Sequence, residues 1–387
     1  MKIIHVVEPL AGGTGTFIKS LVENLPDDYH IIVHGERKLV TPVAEVKKDF
    51  AFNNVKFFKW KSAQRSLHFY KDITAFLELF NLLKRLKKTN SVDVIHLHCS
   101  KAGFIGRIVC RLLNIQAKVI YTPNGAPFMV GTNKTSNFIY KHLEKFANLF
   151  GGQVVCCSPS EQMAYISAGI NSITINNGIQ YEKKISSLLR KRKVNNEFCI
   201  VTSGRIVDQK NPALFNEIAQ YFQEFKQFKF VWIGDGTDRK LLTSSNIEIT
   251  GWLNKEAVEI EVKKGDIYLS TANFEGLPFA VLEALVLLKP VLLTDCIGNK
   301  DLVIKGLNGD IFKTVDEAIN KILQYYNNFS MLAVMGRHSE LHCETSFNLI
   351  DTHHSYKMLY QKALYNQKET HSMNLNHLAW NKMKTAR

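Results

Sequence analysis

The sequence lacks a long uninterrupted apolar run, which argues against a membrane-spanning helix. No stretch of its 387 residues approaches the roughly 20 apolar residues that such a helix needs. The opening MKIIHVVEPLAGG has a short apolar run and no cleavage-type ending. This pattern is more typical of a first buried strand than of a signal peptide, so we expect a cytoplasmic protein.

Cysteine is sparse and irregularly placed. The count of seven is odd, and no pair has the spacing of zinc ligands. The cysteines are Cys99, Cys110, Cys156, Cys157, Cys199, Cys296 and Cys343. Carboxylates suited to a divalent ion do not cluster either. We therefore predict no disulfide framework, no bound metal and no cofactor.

Acidic side chains are fewer than basic ones, 35 against 49, and the net charge is +14. A basic surface attracts nucleic acid, anionic lipid or anionic small molecules. The charge alone does not choose among these partners. The length exceeds that of one ordinary core and fits two domains.

Short apolar runs alternate with amphipathic stretches along most of the chain. The predicted strands are KIIHVV, HIIVHG, DVIHLH, KVIYTP and GQVVCCS, then FCIVTSG, KFVWIGDG, IEITGW, DIYLST and PVLLTD. Strands that alternate with helices are typical of parallel sheets covered by helices on both faces. The fold class is therefore α/β, with two Rossmann-like domains that face a cleft.

The domain boundary is expected after the NNGI turn. We predict a first domain over residues 1–180, a charged linker over 181–197 and a second domain over 198–345. Residues 346–366 are expected to form a C-terminal helix that crosses back to the first domain. Residues 367–387 read as a basic, poorly ordered tail.

Glycines follow the first predicted strand, and a helix is expected to begin near Thr16. Gly12 and Gly13 would let the backbone approach a phosphate at the helix N-terminus. The full dinucleotide fingerprint is absent, because no G-x-G-x-x-G occurs. An ordinary strand-to-helix turn is an equally good interpretation.

Two cations flank the loop SGRIVDQKN, which follows the strand CIVT. Arg205 and Lys210 would lie at the carboxyl end of that strand, where open α/β sheets bind ligands. Such a pair suits a diphosphate. Solvated surface charge is the alternative. Gly234 in WIGDG marks another sharp turn after a strand.

Glu275 and Glu283 form a spaced pair in NFEGLPFAVLEAL. Glu283 is expected inside a helix within an apolar run, where an unpaired carboxylate is costly. Ribose hydroxyls would supply the donors that it needs, and a structural salt bridge is the alternative. Retaining glycosidases also use two carboxylates, about 5 Å apart, so the pair alone is ambiguous.

Together these residues resemble the retaining family 4 glycosyltransferases of the GT-B fold. The resemblance extends from Lys2 to about Tyr360 and depends most on E-x7-E, preceded by G-R-x(4)-K-N and G-x-G. It implies transfer of a sugar, with retention and without metal, from a nucleotide diphosphate sugar such as a UDP-sugar. The expected acceptor is a hydroxyl of a glycan or lipid-linked saccharide in surface polysaccharide or glycoconjugate synthesis.

The resemblance also implies roles for individual residues. Those matched to donor contacts are Gly12, Gly13, Arg205, Lys210, Gly234, Glu275, Gly276, Leu277, Pro278 and Glu283. Glu275 is expected at the donor sugar, Glu283 at the ribose, and Arg205 and Lys210 at the diphosphate. The family's usual T-P-H-G reads TPNG here, so that Asn124 replaces a His and cannot titrate.

Basic and aromatic residues interleave between positions 56 and 88. The basic ones are Lys56, Lys59, Lys61, Arg65, Lys71, Lys84, Arg85, Lys87 and Lys88, and the aromatics are Phe57, Phe58, Trp60, Phe69 and Tyr70. This mixture suits an anionic membrane at its inner face better than nucleic acid. A solvated face over core aromatics is the alternative.

Two further hypotheses stay open. A sugar-nucleotide epimerase of GT-B fold would need titratable groups, and His96, His98 and Glu8 are the candidates. A catalytically weak paralogue would bind the sugar nucleotide as a partner or scaffold, and Asn124 is its only support.

Overall fold

The computed structural model describes residues 1–36, 47–48, 50, 52–64, 68–89, 92–129, 134–181 and 197–365. The chain divides into two compact units. The first contains Met1–Cys157, Gln162–Ile175 and the described residues from His353. The second contains Ser158–Glu161 and Asn176–Thr352. Residues 182–196 of the predicted linker and the predicted tail lie outside the described residues.

A parallel sheet organises the first unit. Its described strands are β1 (Lys2–Val7), β2 (Tyr29–His34), β3 (Val55–Lys59), β4 (Val94–His98), β5 (Val119–Thr122), β6 (Gln153–Cys156) and β7 (Ser172–Thr174). Their order is β3-β2-β1-β4-β5-β6-β7, and neighbouring strands are parallel. The chain leaves β1 in one direction and β4 in the other, so the strand order reverses between them.

Helices connect these strands. They are α1 (Gly12–Asn24), α2 (Phe69–Thr89), α3 (Cys99–Leu112), α4 (Lys134–Asn148) and α5 (Pro159–Ser167), with short 3-10 turns at Gln116–Lys118 and Pro127–Met129. A last helix covers residues 349–365, of which the part from His353 belongs to the first unit. None of the described helices is long and apolar enough to cross a bilayer.

The second unit has its own parallel sheet. Its described strands are β8 (Phe198–Ser203), β9 (Phe228–Ile233), β10 (Ile247–Ile249), β11 (Ile267–Ser270), β12 (Val291–Thr294) and β13 (Gly309–Phe312). The order is β10-β9-β8-β11-β12-β13, and here the order reverses between β8 and β11. The connecting helices are α6 (Pro212–Tyr221), α7 (Lys255–Lys264), α8 (Phe279–Val286), α9 (Val315–Asn327) and α10 (Met331–Ser346), with 3-10 turns at Asp208–Lys210, Arg239–Leu241 and Lys300–Leu302.

The predicted fold class is confirmed. The ten predicted strand segments all contain strands of the two sheets, because continuous apolar runs suit strands that are buried on both faces. Phe198, Ile200 and Trp232 are typical of this core, each at most 1% exposed. Each such side chain contributes roughly 1.5–3 kcal/mol when buried. The strands β3, β7 and β13 were not predicted.

Part of the predicted basic and aromatic surface is core instead. Trp60 is fully buried, and its indole N–H donates to the carbonyl of Ala75 at 3.0 Å. Phe57 and Phe58 lie in β3 and are half-buried. Lys56 Nζ lies 5.5 Å from the centre of the Phe58 ring. The aromatic residues of this stretch therefore divide between core and surface.

The middle strands of the first unit carry a buried histidine network. His5 of β1 and His96 of β4 are register neighbours, and both are fully buried, as are His30 and His98. His5 Nδ1 lies 3.1 Å from His98 Nε2, and His5 Nε2 lies 3.0 Å from His30 Nδ1. A row of neutral imidazoles, each donating through Nε2–H, satisfies these contacts and ends at the carbonyl of Leu25, 3.4 Å from His30 Nε2.

Burial keeps these imidazoles neutral. It lowers the pKa of His5, His96 and His98 well below the ordinary value, and neighbouring imidazoles lower it further. Burial also lowers the pKa of His30 to about 4, although the Leu25 carbonyl acts in the opposite direction. The first unit therefore folds around histidines that resist protonation.

The first prediction concerns pH. Unfolded histidines bind protons near pH 6.5, whereas the folded network does so only at lower pH, so that the unfolded state binds more protons below pH 6.5. The free energy of unfolding should therefore fall as the pH drops from 6.5 towards 4, by at most about 1.4 kcal/mol per pH unit for each histidine. Chemical denaturation between pH 7.5 and 5.0 measures this slope.

Two single variants identify the residues responsible. His30→Gln should flatten the slope, and His68→Gln, at an exposed position, should leave it as in the wild type. Equal slopes for the two variants would contradict the assignment to the buried network.

Candidate functional site

The candidate site lies at the carboxyl ends of β8 and β11, where the strand order of the second sheet reverses. Strands on either side of such a point send their connections to opposite faces, which leaves a crevice where α/β proteins bind ligands. The loop after β8 carries Arg205 and Lys210, and the loop after β11 carries Glu275. The sheet topology thus brings together side chains that are distant in sequence.

Backbone hydrogen bonds join these two loops. The Asn273 N–H donates to the carbonyl of Gln209 at 2.9 Å, and its side-chain amide donates to the carbonyl of Asp208 at 2.8 Å. The Thr271 hydroxyl donates to the carbonyl of Lys210 at 2.8 Å. The loop that precedes Glu275 is therefore held against the turn that presents Lys210.

The sequence around Lys210 explains why the turn ends where it does. Asn211 adopts a left-handed conformation, with φ of 51°, which asparagine tolerates better than most residues. Its side-chain oxygen accepts the N–H of Leu214 at 3.1 Å and so caps helix α6. Pro212 occupies the first helical position, which needs no N–H. Lys210 is thereby fixed one residue before a capped helix.

Lys210 and Glu275 form an ion pair. Lys210 Nζ lies 2.7 Å from Glu275 Oε1, and the Glu275 side chain is only 9% exposed. Gln209 Nε2 donates to the other carboxylate oxygen at 3.4 Å. Burial is the largest single effect on the pKa of Lys210 and lowers it, but the charges of Glu275 and Tyr268 and the hydrogen bond to Glu275 together raise the pKa above its ordinary value. The ammonium is therefore charged at neutral pH.

Arg205 adds a second cation to the site. It is half-buried, and its charge lies close enough to act on the pKa of Lys210 in the lowering direction. Arg205 and Lys210 thus place two cations near the carboxyl end of β8, with the carboxylates of Glu275 and Glu283 close to Lys210. Such a place favours a polyanion, and the planar guanidinium suits phosphate oxygens.

Gly234 lies directly against the loop after β8. Its φ is 140°, and a Cβ at this position would stand 2.2 Å from the carbonyl oxygen of Gly204. The backbone N–H of Gly204 donates to the carbonyl of Ile233 at 2.9 Å. Only glycine permits this approach, so Gly234 shapes the loop that carries Arg205.

Glu283 lies in the middle of helix α8 and is half-buried. Burial raises the pKa of its carboxyl, whereas Lys255 and Lys210 act to lower it. Among the described residues, no hydrogen bond reaches this carboxylate. The alternative of a satisfied structural salt bridge is therefore weakened, and the carboxylate is free to accept hydrogen bonds from a ligand.

Gly276, Leu277 and Pro278 connect the two glutamates. Leu277 is 3% exposed, and its carbonyl accepts the side-chain amide of Asn177 at 3.1 Å. Pro278 is the N-cap of helix α8. The segment is thus anchored at Leu277, between Glu275 and Glu283 in the sequence.

The first unit presents its own candidates at the corresponding edge of its sheet. Helix α1 begins at Gly12, four residues before the predicted start near Thr16. Gly12 and Gly13 therefore form the first helical turn, are exposed and lack the acidic neighbours that would repel a phosphate. Asn124 follows β5 with φ of 58°, a conformation in which asparagine and histidine are both enriched.

The candidates for an epimerase are buried. His96 and His98 have no exposed surface, and Glu8 is 3% exposed. His96 contacts the hydroxyls of Tyr360 and Thr122, each at 2.8 Å. These histidines take part in the network of the first unit, which supports the interpretation as strand residues.

Nitrogen atoms of His5, His96 and His98 lie within 4.8 Å of one another, a geometry that could hold a metal ion. Hydrogen bonds already occupy both nitrogens of His5 and of His96. We therefore assign the cluster to the polar core of the first unit.

Two residues of the site were missed by sequence reasoning. Gln209 contacts Glu275, and Asn273 joins the two loops. Both occur within segments that had been singled out, SGRIVDQKN and NFEGLP. Their amides carry no sequence signal of their own, because any exposed loop can contain such residues.

The fold and the site define a class of protein. Two α/β units, each built on a parallel sheet flanked by helices, are the architecture of GT-B glycosyltransferases. The model of Glycosyltransferase Family 4 matches residues 11–183, and that of Glycosyl transferases group 1 matches residues 185–340. Together the two models match most of the chain, which is a family 4-like glycosyltransferase of GT-B fold.

Known proteins agree with this assignment. The chain is 26% identical to UDP-Gal:alpha-D-GlcNAc-diphosphoundecaprenol alpha-1,3-galactosyltransferase of Escherichia coli, over 95% of this chain and 98% of that protein. It is 26% identical to the capsular polysaccharide biosynthesis glycosyltransferase CapM of Staphylococcus aureus, over 72% and 79%. The structure of Anabaena Alr3699/HepE with UDP and glucose superposes with a TM-score of 0.71, at 16% identity, over 94% and 100%.

The second prediction tests the ion pair at the site. Lys210→Ala leaves Glu275 buried without its cation, and we expect a loss of about 2 kcal/mol in the free energy of unfolding, since the ammonium is partly exposed. The matched control is Lys264→Ala, which breaks a surface pair with Glu261 and should cost less than about 0.5 kcal/mol. Urea denaturation measures both, and equal losses would contradict a special role for the buried pair.

Proposed function

We propose that this protein is a retaining, metal-independent glycosyltransferase that uses a UDP-sugar. It moves a hexosyl or N-acetylhexosaminyl group to a hydroxyl of a glycan or lipid-linked saccharide during synthesis of a surface polysaccharide or glycoconjugate. The observation that carries the proposal is the Lys210–Glu275 pair beside Arg205 at the reversal point of the second sheet. The UDP complex of the Anabaena neighbour and the name of the E. coli relative support the donor and acceptor classes.

The residues fit the chemistry of a departing diphosphate. As the bond between sugar and phosphate breaks, negative charge builds on the phosphate oxygens. Arg205 and Lys210 are placed to stabilise that charge, as fixed cations near a developing anion do. No protein nucleophile is required if the acceptor hydroxyl attacks from the face that the diphosphate leaves and the phosphate takes its proton. This route retains the anomeric configuration.

Glu275 and Glu283 grip the donor in this proposal. Glu275 is already neutralised by Lys210 and steadied by Gln209, which suits a residue that positions the sugar. Glu283 has no hydrogen-bond donor among the described residues, and two ribose hydroxyls would supply donors to it. Gly276, Leu277 and Pro278 would lie along the sugar and phosphates, Gly12 and Gly13 at the phosphates, and Asn124 near the reacting carbon.

The third prediction is that a UDP-sugar stabilises the protein and is turned over without a metal. A thermal-shift and hydrolysis screen over UDP-, GDP- and ADP-sugars at millimolar concentration should give its largest shift with a UDP-sugar. EDTA should leave the rate unchanged, and NMR of the transferred or hydrolysed sugar should show retention. If no nucleotide sugar stabilises the protein, the proposal fails. An isomerised sugar would support an epimerase, and binding without turnover would support a weak paralogue.

A variant pair sharpens this test. Glu283→Ala should weaken binding of UDP by about 10- to 100-fold, because hydrogen bonds to a carboxylate contribute roughly 1.5–3 kcal/mol. Glu256→Ala removes an exposed carboxylate of helix α7 and should bind UDP as the wild type does. A Glu283→Ala variant with normal affinity would remove the role proposed for the ribose.

We also propose a peripheral position at the inner face of an anionic membrane. Lys56, Lys59, Lys61, Lys84, Arg85, Lys87 and Lys88 are all exposed, whereas Arg65 lies outside the described residues. Phe69 and Tyr70, at the start of helix α2, are 74% and 75% exposed. Not every cation is free, because Lys59 pairs with Glu36 at 2.6 Å and Lys87 donates to the carbonyl of Leu113 at 2.7 Å.

The fourth prediction tests that position. Sedimentation with vesicles that contain anionic lipid should retain the wild type, and the triple variant Lys84→Glu, Arg85→Glu and Lys88→Glu should bind at least about tenfold more weakly, since each cation contributes about 1 kcal/mol. The control reverses Lys263 and Lys264 of the second unit and should bind normally. Equal binding of all three proteins, or binding that is insensitive to lipid charge, would exclude the proposed surface.

A further inference from the structure

The loop after β12 packs against the segment that carries Glu275. Gly298 is buried with φ of 81°. A Cβ at this position would lie 2.5 Å from the carbonyl oxygen of Gly276 and 3.1 Å from Cβ of Glu275. The backbone of Gly298 is thus in direct contact with the proposed donor segment, and its position limits where Gly276 and Glu275 can be.

The position of Gly298 depends on Ser160 and Asp301. The Gly298 N–H donates to Ser160 Oγ at 2.9 Å. The Ser160 hydroxyl in turn donates to Asp301 Oδ2, and the Ser160 backbone N–H donates to Asp301 Oδ1 at 3.0 Å. Ser160 therefore links the middle of the loop to its end, and we call this hydrogen-bonded group of Gly298, Ser160 and Asp301 the clasp.

The hydrogen bonds of the clasp require an aspartate at position 301 and a serine at position 160. Both oxygens of Asp301 accept hydrogen bonds, so that an amide in its place would turn an N–H₂ group towards one of the two donors. Ser160 lies in the first turn of helix α5, where backbone N–H groups lack helical partners and a negative charge is favourable. The clasp is contained in the second unit, to which Ser158–Glu161 belongs.

The same loop is anchored at its start. The Asn299 side-chain amide donates to Thr294 Oγ1 at 3.0 Å, and the Thr294 hydroxyl donates to the carbonyl of Ala272 at 2.6 Å. The Asp295 carboxylate, in contrast, has a single partner within the described ranges of the chain, a partly exposed ion pair with Lys313 at 3.3 Å. The two aspartates of this loop therefore differ in their contacts, because Asp301 accepts two hydrogen bonds from Ser160 and Asp295 makes a surface ion pair.

We propose that Ser160 and Asp301 are positioning residues for the transfer reaction. Through Gly298 they hold the Gly276 backbone and Glu275 at the place where the donor sugar is gripped, which deepens the proposed function and rests on it. Neither side chain needs to touch the donor. Loss of the clasp should therefore weaken the contacts with the sugar more than those with the nucleotide, because the clasp acts on Gly276 and Glu275, whereas the nucleotide is assigned to Arg205, Lys210 and Glu283.

The fifth prediction compares two aspartates of the same loop. Asp301→Asn and Ser160→Ala should lower kcat by about 10- to 100-fold, because displacements near 1 Å cost that much in catalysis. The Kd for UDP should change by no more than about twofold. Asp301→Glu should recover part of kcat. The matched control Asp295→Asn should behave as the wild type in both measurements.

The kinetic assay uses the UDP-sugar that gives the largest shift in the donor screen, and calorimetry with UDP gives the Kd. If Asp301→Asn and Ser160→Ala have the same kcat as Asp295→Asn, the positioning role of the clasp is wrong. It is also wrong if their affinity for UDP falls in proportion to kcat. If Asp301→Asn does not fold, Ser160→Ala decides by the same criteria. A wild type without sugar-nucleotide binding overturns the proposed function and the clasp together, whereas an active wild type with unaffected variants overturns the clasp alone.

Discussion

The joining of the loops after β8 and β11 is the constraint on which the site depends. Hydrogen bonds from Thr271 and Asn273 hold the two loops together, and only then can Lys210 and Glu275 form a short ion pair. A buried carboxylate without its cation would be costly, so the ion pair and the loop contacts depend on each other. The proposed diphosphate site depends on the two cations, Arg205 and Lys210, that this arrangement holds at the carboxyl end of β8.

Close backbone approach is the second requirement of the site. Gly234 lies against Gly204 and Gly298 lies against Gly276, at distances that a Cβ would not permit. In both cases a loop that carries a candidate residue is shaped by a neighbouring loop without intervening side chains. This packing keeps the polar groups of the site fixed before a ligand arrives, which electrostatic stabilisation requires.

The first unit follows a different design around its central strands. Its buried histidines are neutral and bonded to one another and to Tyr360 and Thr122. Such a network is stable because its nitrogens are almost fully satisfied, and His98 Nδ1 is a buried exception. A lone pair without a donor costs less there than an unpaired N–H would, which favours the tautomer that donates through Nε2.

The sequence by itself determined the two parallel sheets, ten of the strands and the candidate residues at the strand ends. These predictions depend on local patterns, namely apolar runs, glycine turns and the spacing of Glu275 and Glu283. Local patterns can be recognised in the sequence without knowledge of tertiary contacts. The aromatic stretch near β3 shows their limit, because Trp60, directly after the strand, is buried in the core while its neighbours Lys59 and Lys61 are exposed.

Only the tertiary structure decided which residues are partners. Lys210 meets Glu275, and Ser160 meets Asp301 across 141 positions, because parallel strands bring together loops from distant parts of the chain. Sequence reasoning treated the glutamates as a pair, whereas in the structure Glu275 pairs with Lys210, and Glu283 accepts no hydrogen bond from any residue that the structure describes. The physical reason is that the residue type alone gives the charge of a side chain, whereas its neighbours in space depend on the order of the strands in the sheet.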